Sequence, residues 1–238
     1  MSVSAGAFST ALRAGLSALC EQRRPLLILQ SLVAAVVACG FLLPGFDGLL
    51  RAIGERIAAG GAAAVFVTAG LSCGLLAEAV VVTVQQRGRW RSSNLRQAAF
   101  RFALYGANAV LASLFFRLQA AWFGDGLGWS VQLPKLAMDR LVAGLLLFLL
   151  VQLTAARLNA LHFDLRRWTA ELAGPFVRLH SLPGLATQLM FWPPVTLAIY
   201  LFPVALQTIL FLVIGAAWSL LVAALAGTPQ SQTIEAST

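Results

Sequence analysis

Continuous apolar runs, each about as long as a membrane-spanning helix, recur along this chain of 238 residues. They cover approximately residues 25–44, 57–84, 95–123, 136–154 and 185–226, and short polar segments join them. A helix of roughly 20 residues crosses the hydrocarbon core of a bilayer, which is about 30 Å thick. Because 59% of the residues are hydrophobic and only 11% are charged, one water-soluble core could not bury them all. The runs do not alternate apolar with polar residues, so they favour helices over a β-barrel.

The runs predict an all-α fold, a polytopic transmembrane helix bundle of about five spans within residues 25–226. The last run contains Pro193, Pro194 and Pro203, which remove backbone donors and bend a helix. We therefore predict that this run supplies one span, with a bent or interfacial helix ahead of it.

The basic residues are distributed unequally between the joints. With the N-terminus inside, the outside segments hold only Arg51, Arg56 and Lys135, whereas eleven arginines lie inside, as the positive-inside rule expects. Topology and anionic lipid therefore explain the net charge of +8, and we predict the lipid bilayer as a partner and no binding of nucleic acid. The inside arginines are Arg13, Arg23, Arg24, Arg87, Arg89, Arg91, Arg96, Arg157, Arg166, Arg167 and Arg178.

The two ends of the chain differ from the apolar middle. Residues 1–24 are serine-rich, basic and amphipathic, which is typical of an organelle transit segment and equally of an ordinary inside tail. Both interpretations stay open. Residues 227–238 form a short polar C-terminal tail.

Gly70-Leu71-Ser72-Cys73-Gly74 matches two patterns. As G-x-S-x-G it would carry a serine nucleophile, but that motif needs a strand-to-helix turn. As G-x-x-x-G it places Gly70 and Gly74 on one helix face, where another helix can approach closely. We predict helix packing, with Ser72 able to hydrogen-bond across the contact.

Polar side chains interrupt the apolar runs in three predicted spans. An ionisable residue within a span normally faces a partner or a water-filled cavity. Two interpretations stay open: each side chain is paired or solvated near a membrane edge, or they line a shared hydrated interior. The candidate interior residues are Glu78, Arg101, Asn108, Asp139 and Arg140, and Arg117 invites the same two interpretations.

Catalytic and cofactor motifs are missing from the sequence. The cysteines (Cys20, Cys39, Cys73) and histidines (His162, His180) have no metal-ligand spacing, and no phosphate-cradling or dinucleotide motif occurs. We predict no catalytic residue, no cofactor, no metal and no enzyme. Four tryptophans near predicted span ends suit an aromatic belt: Trp90, Trp122, Trp129 and Trp168.

The last apolar run carries the most specific pattern. Its Phe191-Trp192-Pro193-Pro194, followed by Tyr200, Pro203, Gln207 and Trp218, resembles the closing signature of one family. That family is named for the twenty-two-kilodalton peroxisomal membrane protein and its mitochondrial relative, Mpv-seventeen. Further similar elements, in the expected order, are Gly74 and Glu78, then Arg96, Arg101 and Gly106, then Lys135 and Asp139. The resemblance covers about residues 50–226, which leaves an extra N-terminal helix beside four family-like ones.

The chain departs from the family pattern at several polar positions. Arg140 and Thr196 stand where the family has Gln, Ile199 where it has Asn, and Gln207 where it has Arg. The interval from Trp192 to Pro203 is also one residue short. We therefore identify the chain as a divergent member.

The resemblance implies a small helical protein of an organelle membrane. We expect the mitochondrial inner membrane first, with peroxisomal and plastid membranes as alternatives. Some family members are similar to non-selective channels for small solutes, which favours a channel-like function here. The alternative is a non-conducting scaffold or accessory subunit, with a homo-oligomer or other membrane proteins as partners. A third and remote hypothesis is an intramembrane serine protease that uses Ser72.

Overall fold

The computed structural model describes residues 27–225, with gaps at 29, 32, 41, 44, 143, 145–153 and 173–181. The predicted tails at 1–24 and 227–238, Cys20, Arg178 and His180 lie outside the described residues, as does most of the run 136–154. Every element in the described part is a helix: α1 (Phe46–Ala59), α2 (Gly61–Ala69), a π-helical turn (Gly70–Leu75), α3 (Leu76–Val80), a second π-helical turn (Val81–Gln85), α4 (Ser92–Phe123), α5 (Trp129–Met138), α6 (Thr154–Ala160), α7 (Leu165–Leu172), α8 (Leu182–Tyr200) and α9 (Val204–Leu225).

The chain divides into two compact units. Unit 1 contains the chain up to Ala35 and the segment Phe123–Leu201, and therefore helices α5 to α8. Unit 2 contains Val36–Trp122 and the chain from Phe202 onward, and therefore α1 to α4 and α9.

In unit 2, α2 continues without interruption through both π-helical turns and α3, and we call this element helix 61–85. Gly61, at φ 60°, separates it from α1 in a left-handed conformation that most residues avoid. Helix α9 packs against α1, against the turn Gly70–Leu75 and against α3. A core of Val65, Ala69, Ala109 and Leu212 joins α2, α4 and α9.

A tight turn connects helix 61–85 to α4. Arg87 and Gly88 both have positive φ, at 53° and 76°. The Gly88 N–H donates to the Val82 carbonyl at 2.8 Å, and the Arg89 N–H donates to the Gln86 carbonyl at 3.0 Å. These bonds satisfy carbonyls at the end of the helix, as a Schellman-type cap does. The two long helices therefore form a hairpin with a defined turn.

In unit 1, α5 packs against α8 and α6 packs against α7. Arg157 of α6 binds Glu171 of α7 through two hydrogen bonds of 2.6 and 3.0 Å. The Trp168 indole N–H also donates to the Thr154 carbonyl at 2.9 Å. These contacts join the two short helices into a hairpin.

The helical fold class is confirmed for the described residues, which contain no strand. Two described helices are long and apolar enough to cross a membrane, Gly61–Thr83 with 23 residues and Ser92–Phe123 with 32 residues. The count of five spans stays a prediction.

Two predicted boundaries are wrong. Residues 46–59, predicted as part of an outside joint, form α1, because its apolar residues recur at helical spacing. The fourth run becomes helical at Trp129 rather than at Leu136, so Lys135 lies inside a helix and not in an outside joint. The last run contains two helices, α8 and α9, which agrees with the prediction of a helix ahead of the final span; Pro203 has no N–H with which to continue α8.

Candidate functional site

Unit 2 contains a buried polar cluster of Glu78, Asn94 and Arg101, which we call the Glu78 cluster. The Asn94 amide Nδ2 donates to Glu78 Oε1 at 2.6 Å, and Arg101 Nη1 lies 3.1 Å from Glu78 Oε2. Glu78 and Asn94 are almost fully buried, at 3% and 2% exposure, while the Arg101 side chain is 27% exposed. Glu78 therefore has both a counter-charge and a hydrogen-bond donor.

Asn94 also organises the first turn of α4. Its Oδ1 accepts the Arg91 N–H at 2.7 Å, and its own N–H donates to the Arg91 carbonyl at 2.9 Å. A side chain at the third helical position that bonds back to the N-cap N–H is half of a capping box. Asn94 thus connects the start of α4 to Glu78 of the neighbouring helix. Sequence analysis missed Asn94, although a Ser-Ser-Asn segment ahead of an apolar run is a recognisable helix-start signal.

Glycines allow the two long helices to meet beside the Glu78 cluster. A Cβ on Gly74 would lie 2.7 Å from the Phe102 nitrogen and 2.8 Å from the Arg101 carbonyl carbon. A Cβ on Gly106 would lie 2.8 Å from the Phe66 carbonyl oxygen, whereas one on Gly70 would meet the Phe102 ring at 2.6 Å. Gly70 and Gly74 therefore lie at a helix contact, as G-x-x-x-G glycines do.

Ser72 differs from the prediction. Its hydroxyl donates to the Thr68 carbonyl of its own helix at 2.7 Å and does not bond across the helix contact. A serine inside a helix can bond in this way to the carbonyl four residues earlier. The interaction holds the hydroxyl within its own helix and gives the protease hypothesis no support.

Unit 1 contains a second polar cluster between α5 and α8, which we call the Arg140 cluster. Arg140 Nη2 forms an ion pair with Asp139 and donates to Thr196 Oγ1 at 2.9 Å. One helical turn further along α8, Gln132 Nε2 donates to the Tyr200 carbonyl at 3.2 Å and to the Gly126 carbonyl at 3.0 Å. Arg140 and Thr196, two of the four residues at which the sequence departs from the pattern it resembles, thus contact each other.

Lys135 is the most buried cation of the Arg140 cluster. Only 2% of its side chain is exposed, and its Nζ lies 3.8 Å from Asp125 Oδ1 and 5.9 Å from the centre of the Tyr200 ring. Three ionisable side chains, Lys135, Asp139 and Arg140, are therefore largely buried along one helix. The sequence analysis did not include Gln132 and Lys135 among the interior polar residues, although their spacing to Asp139 predicts that the three share one helix face.

Three buried atoms of the Arg140 cluster have no hydrogen-bond partner among the described residues: Gln132 Oε1, Arg140 Nε and Asp139 Oδ2. Asp139 Oδ2 forms the ion pair with Arg140 Nη2, which leaves Gln132 Oε1, an acceptor, and Arg140 Nε, a donor. Such atoms normally bind water or a ligand, because an unpaired buried polar group costs about 1–3 kcal/mol. The cluster therefore has one buried donor and one buried acceptor of the kind that ordered water satisfies.

The remaining candidates have simpler environments. On α4, Asn108 is half-buried and Arg117 is exposed, and neither residue is a member of the Glu78 cluster or the Arg140 cluster. Pro203 precedes α9, and the Gln207 amide donates to the Phe202 carbonyl at 2.9 Å, which satisfies a carbonyl ahead of that helix. Of the remaining signature residues, Pro193 lies inside α8 and Trp218 inside α9, and Trp192 packs edge-to-face against Phe191.

The belt tryptophans divide into two groups. Trp90, Trp122 and Trp129 are exposed, at 59%, 59% and 66%. Trp168 is half-buried and bonds to the Thr154 carbonyl, so its indole N–H supports the α6–α7 hairpin.

Within the described part of the chain, no group of three or more His, Cys, Asp or Glu residues could hold a metal ion. Comparison with protein-family models, with curated proteins and with solved structures finds no match to this chain. The resemblance to the family of peroxisomal and mitochondrial membrane proteins therefore stays a prediction.

Proposed function

We propose that this chain is an integral organelle-membrane protein with a channel-like function, which passes small solutes through a polar helix interior. The observation that carries the proposal is that apolar side chains lie on the surface and charged side chains lie in the interior, the reverse of a soluble protein. Large apolar side chains are exposed, whereas Glu78, Lys135 and Asp139 are buried. Charged residues are almost never fully buried in soluble proteins unless they are paired, as these three are, and large apolar patches on protein surfaces mark interaction sites.

The exposed apolar side chains form stripes along the two longest helices. Val67, Leu71 and Leu75 are exposed at intervals of four residues on helix 61–85. Leu111, Leu114 and Leu118 are exposed at intervals of three and four residues on α4. A buried core helix could have the same length and composition, but it would not expose such a stripe. Contact with lipid gives the stripes an apolar environment.

The buried charges support a hydrated path. An ion pair taken out of water costs several kcal/mol for each ion unless its other polar atoms are satisfied. In the Arg140 cluster, water inside a path would satisfy Gln132 Oε1 and Arg140 Nε. In the Glu78 cluster, Oε1 accepts a hydrogen bond from Asn94, and Oε2 has no hydrogen bond from the described residues but forms the ion pair with Arg101. Because both oxygens have a partner within the protein, we assign this cluster to helix association and the Arg140 cluster to the path.

Five spans with the N-terminus inside remain our topology. Helix α9, with 22 residues, has the length of the last span, and α8, with Pro193 and Pro194 inside it, is the bent or interfacial helix ahead of that span. We propose the mitochondrial inner membrane as the first location, with peroxisomal and plastid membranes as alternatives, and the family resemblance supports it.

Cysteine labelling tests whether α4 crosses the membrane. In a chain without its native cysteines, Ser93→Cys and Gly126→Cys should react with a membrane-impermeant thiol reagent from opposite sides of the membrane. Reaction from one side would refute α4 as a span.

The function is tested by flux from vesicles that contain the purified full chain. We expect small solutes to leave and large dextrans to remain. Arg140→Gln should shift the flux toward cations and Asp139→Asn toward anions, because charges that line a path set its selectivity. Arg157→Gln is the matched control, since it also removes an arginine from a carboxylate pair but lies outside the proposed path.

The outcomes separate the two candidate functions. Equal shifts in Arg140→Gln and Arg157→Gln would refute the path through the Arg140 cluster. Tight vesicles with well-folded protein would refute the channel-like function and favour the scaffold. Recovery in fixed ratio with other membrane proteins after gentle extraction would then test the scaffold directly.

A further inference from the structure

The turn between the two longest helices concentrates positive charge. Arg87, Arg89, Arg91 and Arg96 lie within ten residues, and all four are exposed. The sequence contains no aspartate or glutamate between Glu78 and Asp125. We call residues 86–96 the arginine hairpin.

The four arginines have no counter-charge within the described part of the chain. None of their side chains forms an ion pair with a described residue. Glu78, the preceding acid in the sequence, is occupied by Arg101 and Asn94. The hairpin therefore presents four guanidinium groups that the described structure leaves available for an external anion.

The backbone of the hairpin is defined rather than open. The left-handed residues Arg87 and Gly88 fix the turn, and the cap from Asn94 to Arg91 fixes the start of α4. Trp90 and Leu95 are exposed in the same segment, at 59% and 68%. The arginines thus alternate with apolar side chains on a surface that prefers the boundary between lipid and water.

The length of α4 places this surface at a membrane boundary, provided that the proposed membrane function holds. At 1.5 Å per residue, the 32 residues of α4 extend about 48 Å, whereas the hydrocarbon core is about 30 Å thick. A helix of this length that crosses without tilt has about twelve residues outside the core, and a tilted one has fewer. The arginines at its start favour the headgroup layer at that end.

We propose that the arginine hairpin binds the phosphate headgroup of an acidic phospholipid. Arginine is suited to this ligand, because its planar guanidinium donates two parallel hydrogen bonds to phosphate oxygens. Trp90 and Leu95 insert beside the bound headgroup and hold the hairpin at the lipid surface. The site shares no residue with the Arg140 cluster and does not depend on solute passage.

The test compares spin-labelled phosphatidylglycerol with spin-labelled phosphatidylcholine around the reconstituted full chain. The wild-type protein should retain the acidic lipid preferentially. The variant Arg89→Gln/Arg91→Gln should lower that preference by up to about fivefold for each arginine removed. The matched control is Arg166→Gln/Arg167→Gln, which removes two exposed arginines from α7 and should retain the preference.

Different results would overturn the headgroup site and the membrane proposal. An equal loss in the control, or no preference in the wild-type protein, would overturn the headgroup site. Displacement of the labelled lipid by sodium phosphate, but not by sodium chloride of equal ionic strength, would overturn it in favour of a soluble phosphate compound. Extraction of the protein by alkaline carbonate would refute the membrane proposal itself, whereas retention without lipid preference refutes only the hairpin site.

Discussion

The contact of helix 61–85 with α4 leaves no space for a side chain at Gly74. A Cβ there would lie 2.7 Å from the Phe102 nitrogen and 2.8 Å from the Arg101 carbonyl carbon, which are backbone atoms and cannot rotate away. Non-bonded heavy atoms in ordinary contact are about 3.5 Å apart, which is roughly 0.8 Å more than the 2.7 Å here, so Gly74→Ala must move the two helices apart locally by that amount. Overpacking of this kind costs about 1–3 kcal/mol.

The separation would also strain the Glu78 cluster, one helical turn away. The hydrogen bond from Asn94 to Glu78 is only 2.6 Å long and connects the same two helices. We therefore expect the loss of unfolding free energy to lie in the upper part of that range.

Gly215→Ala is the matched control, because a Cβ at Gly215 meets only Cys73 Sγ, at an ordinary 3.6 Å. Glycine to alanine inside a helix stabilises by about 0.4–1 kcal/mol without a clash. Both variants share this gain, so the difference between them isolates the clash.

The assay is reversible unfolding in mixed detergent micelles, followed by helical circular dichroism. We expect Gly74→Ala to be less stable than Gly215→Ala by about 1–3 kcal/mol. Gly70→Ala should fall between them, since its Cβ meets the side chain of Phe102, which can change rotamer. Equal unfolding free energies for Gly74→Ala and Gly215→Ala would refute the close backbone contact.

Three further predictions use the same unfolding assay. Thr196→Val removes the hydroxyl that accepts the Arg140 hydrogen bond and should lower the unfolding free energy by about 1–3 kcal/mol. Thr196→Ser keeps the hydroxyl and should change the unfolding free energy little. Equal unfolding free energies for the two variants would contradict the hydrogen bond. A double-mutant cycle on Arg157→Gln and Glu171→Gln should give a coupling of about 0.2–1 kcal/mol that falls with salt, because both side chains are about one third exposed. Coupling that salt does not reduce would argue against a solvent-screened pair. Gly88→Ala should cost about 1–2 kcal/mol, because its φ of 76° is left-handed, and an unchanged unfolding free energy would disprove this turn geometry.

Helix class was predictable because it depends on local properties. The run 57–84 predicts a long helix from composition alone, and helix 61–85 lies in that place. Gly70 and Gly74 share a helix face at any register, since four residues nearly complete one turn. The prolines indicated a second helix in the last run, but the position of the break was less visible, because Leu201 and Phe202 are apolar and provide no polar joint.

Burial of Lys135 could not be predicted in the same way. By composition it belonged to a joint, and only the helix from Trp129 places it between α5 and α8. The choice between a paired and a free Glu78 likewise depends on Asn94, sixteen residues later, whose position is set by the turn at Gly88.

The sequence by itself determined the helices, their apolar character and the concentration of arginines in one turn, because transfer of side chains and backbone out of water depends on each segment alone. The tertiary structure decided which polar groups meet: Glu78 with Asn94 and Arg101, and Arg140 with Thr196. These pairings require helices distant in sequence to approach in one register. That register is selected by packing, through contacts such as Gly74 against Phe102, and no local pattern encodes it.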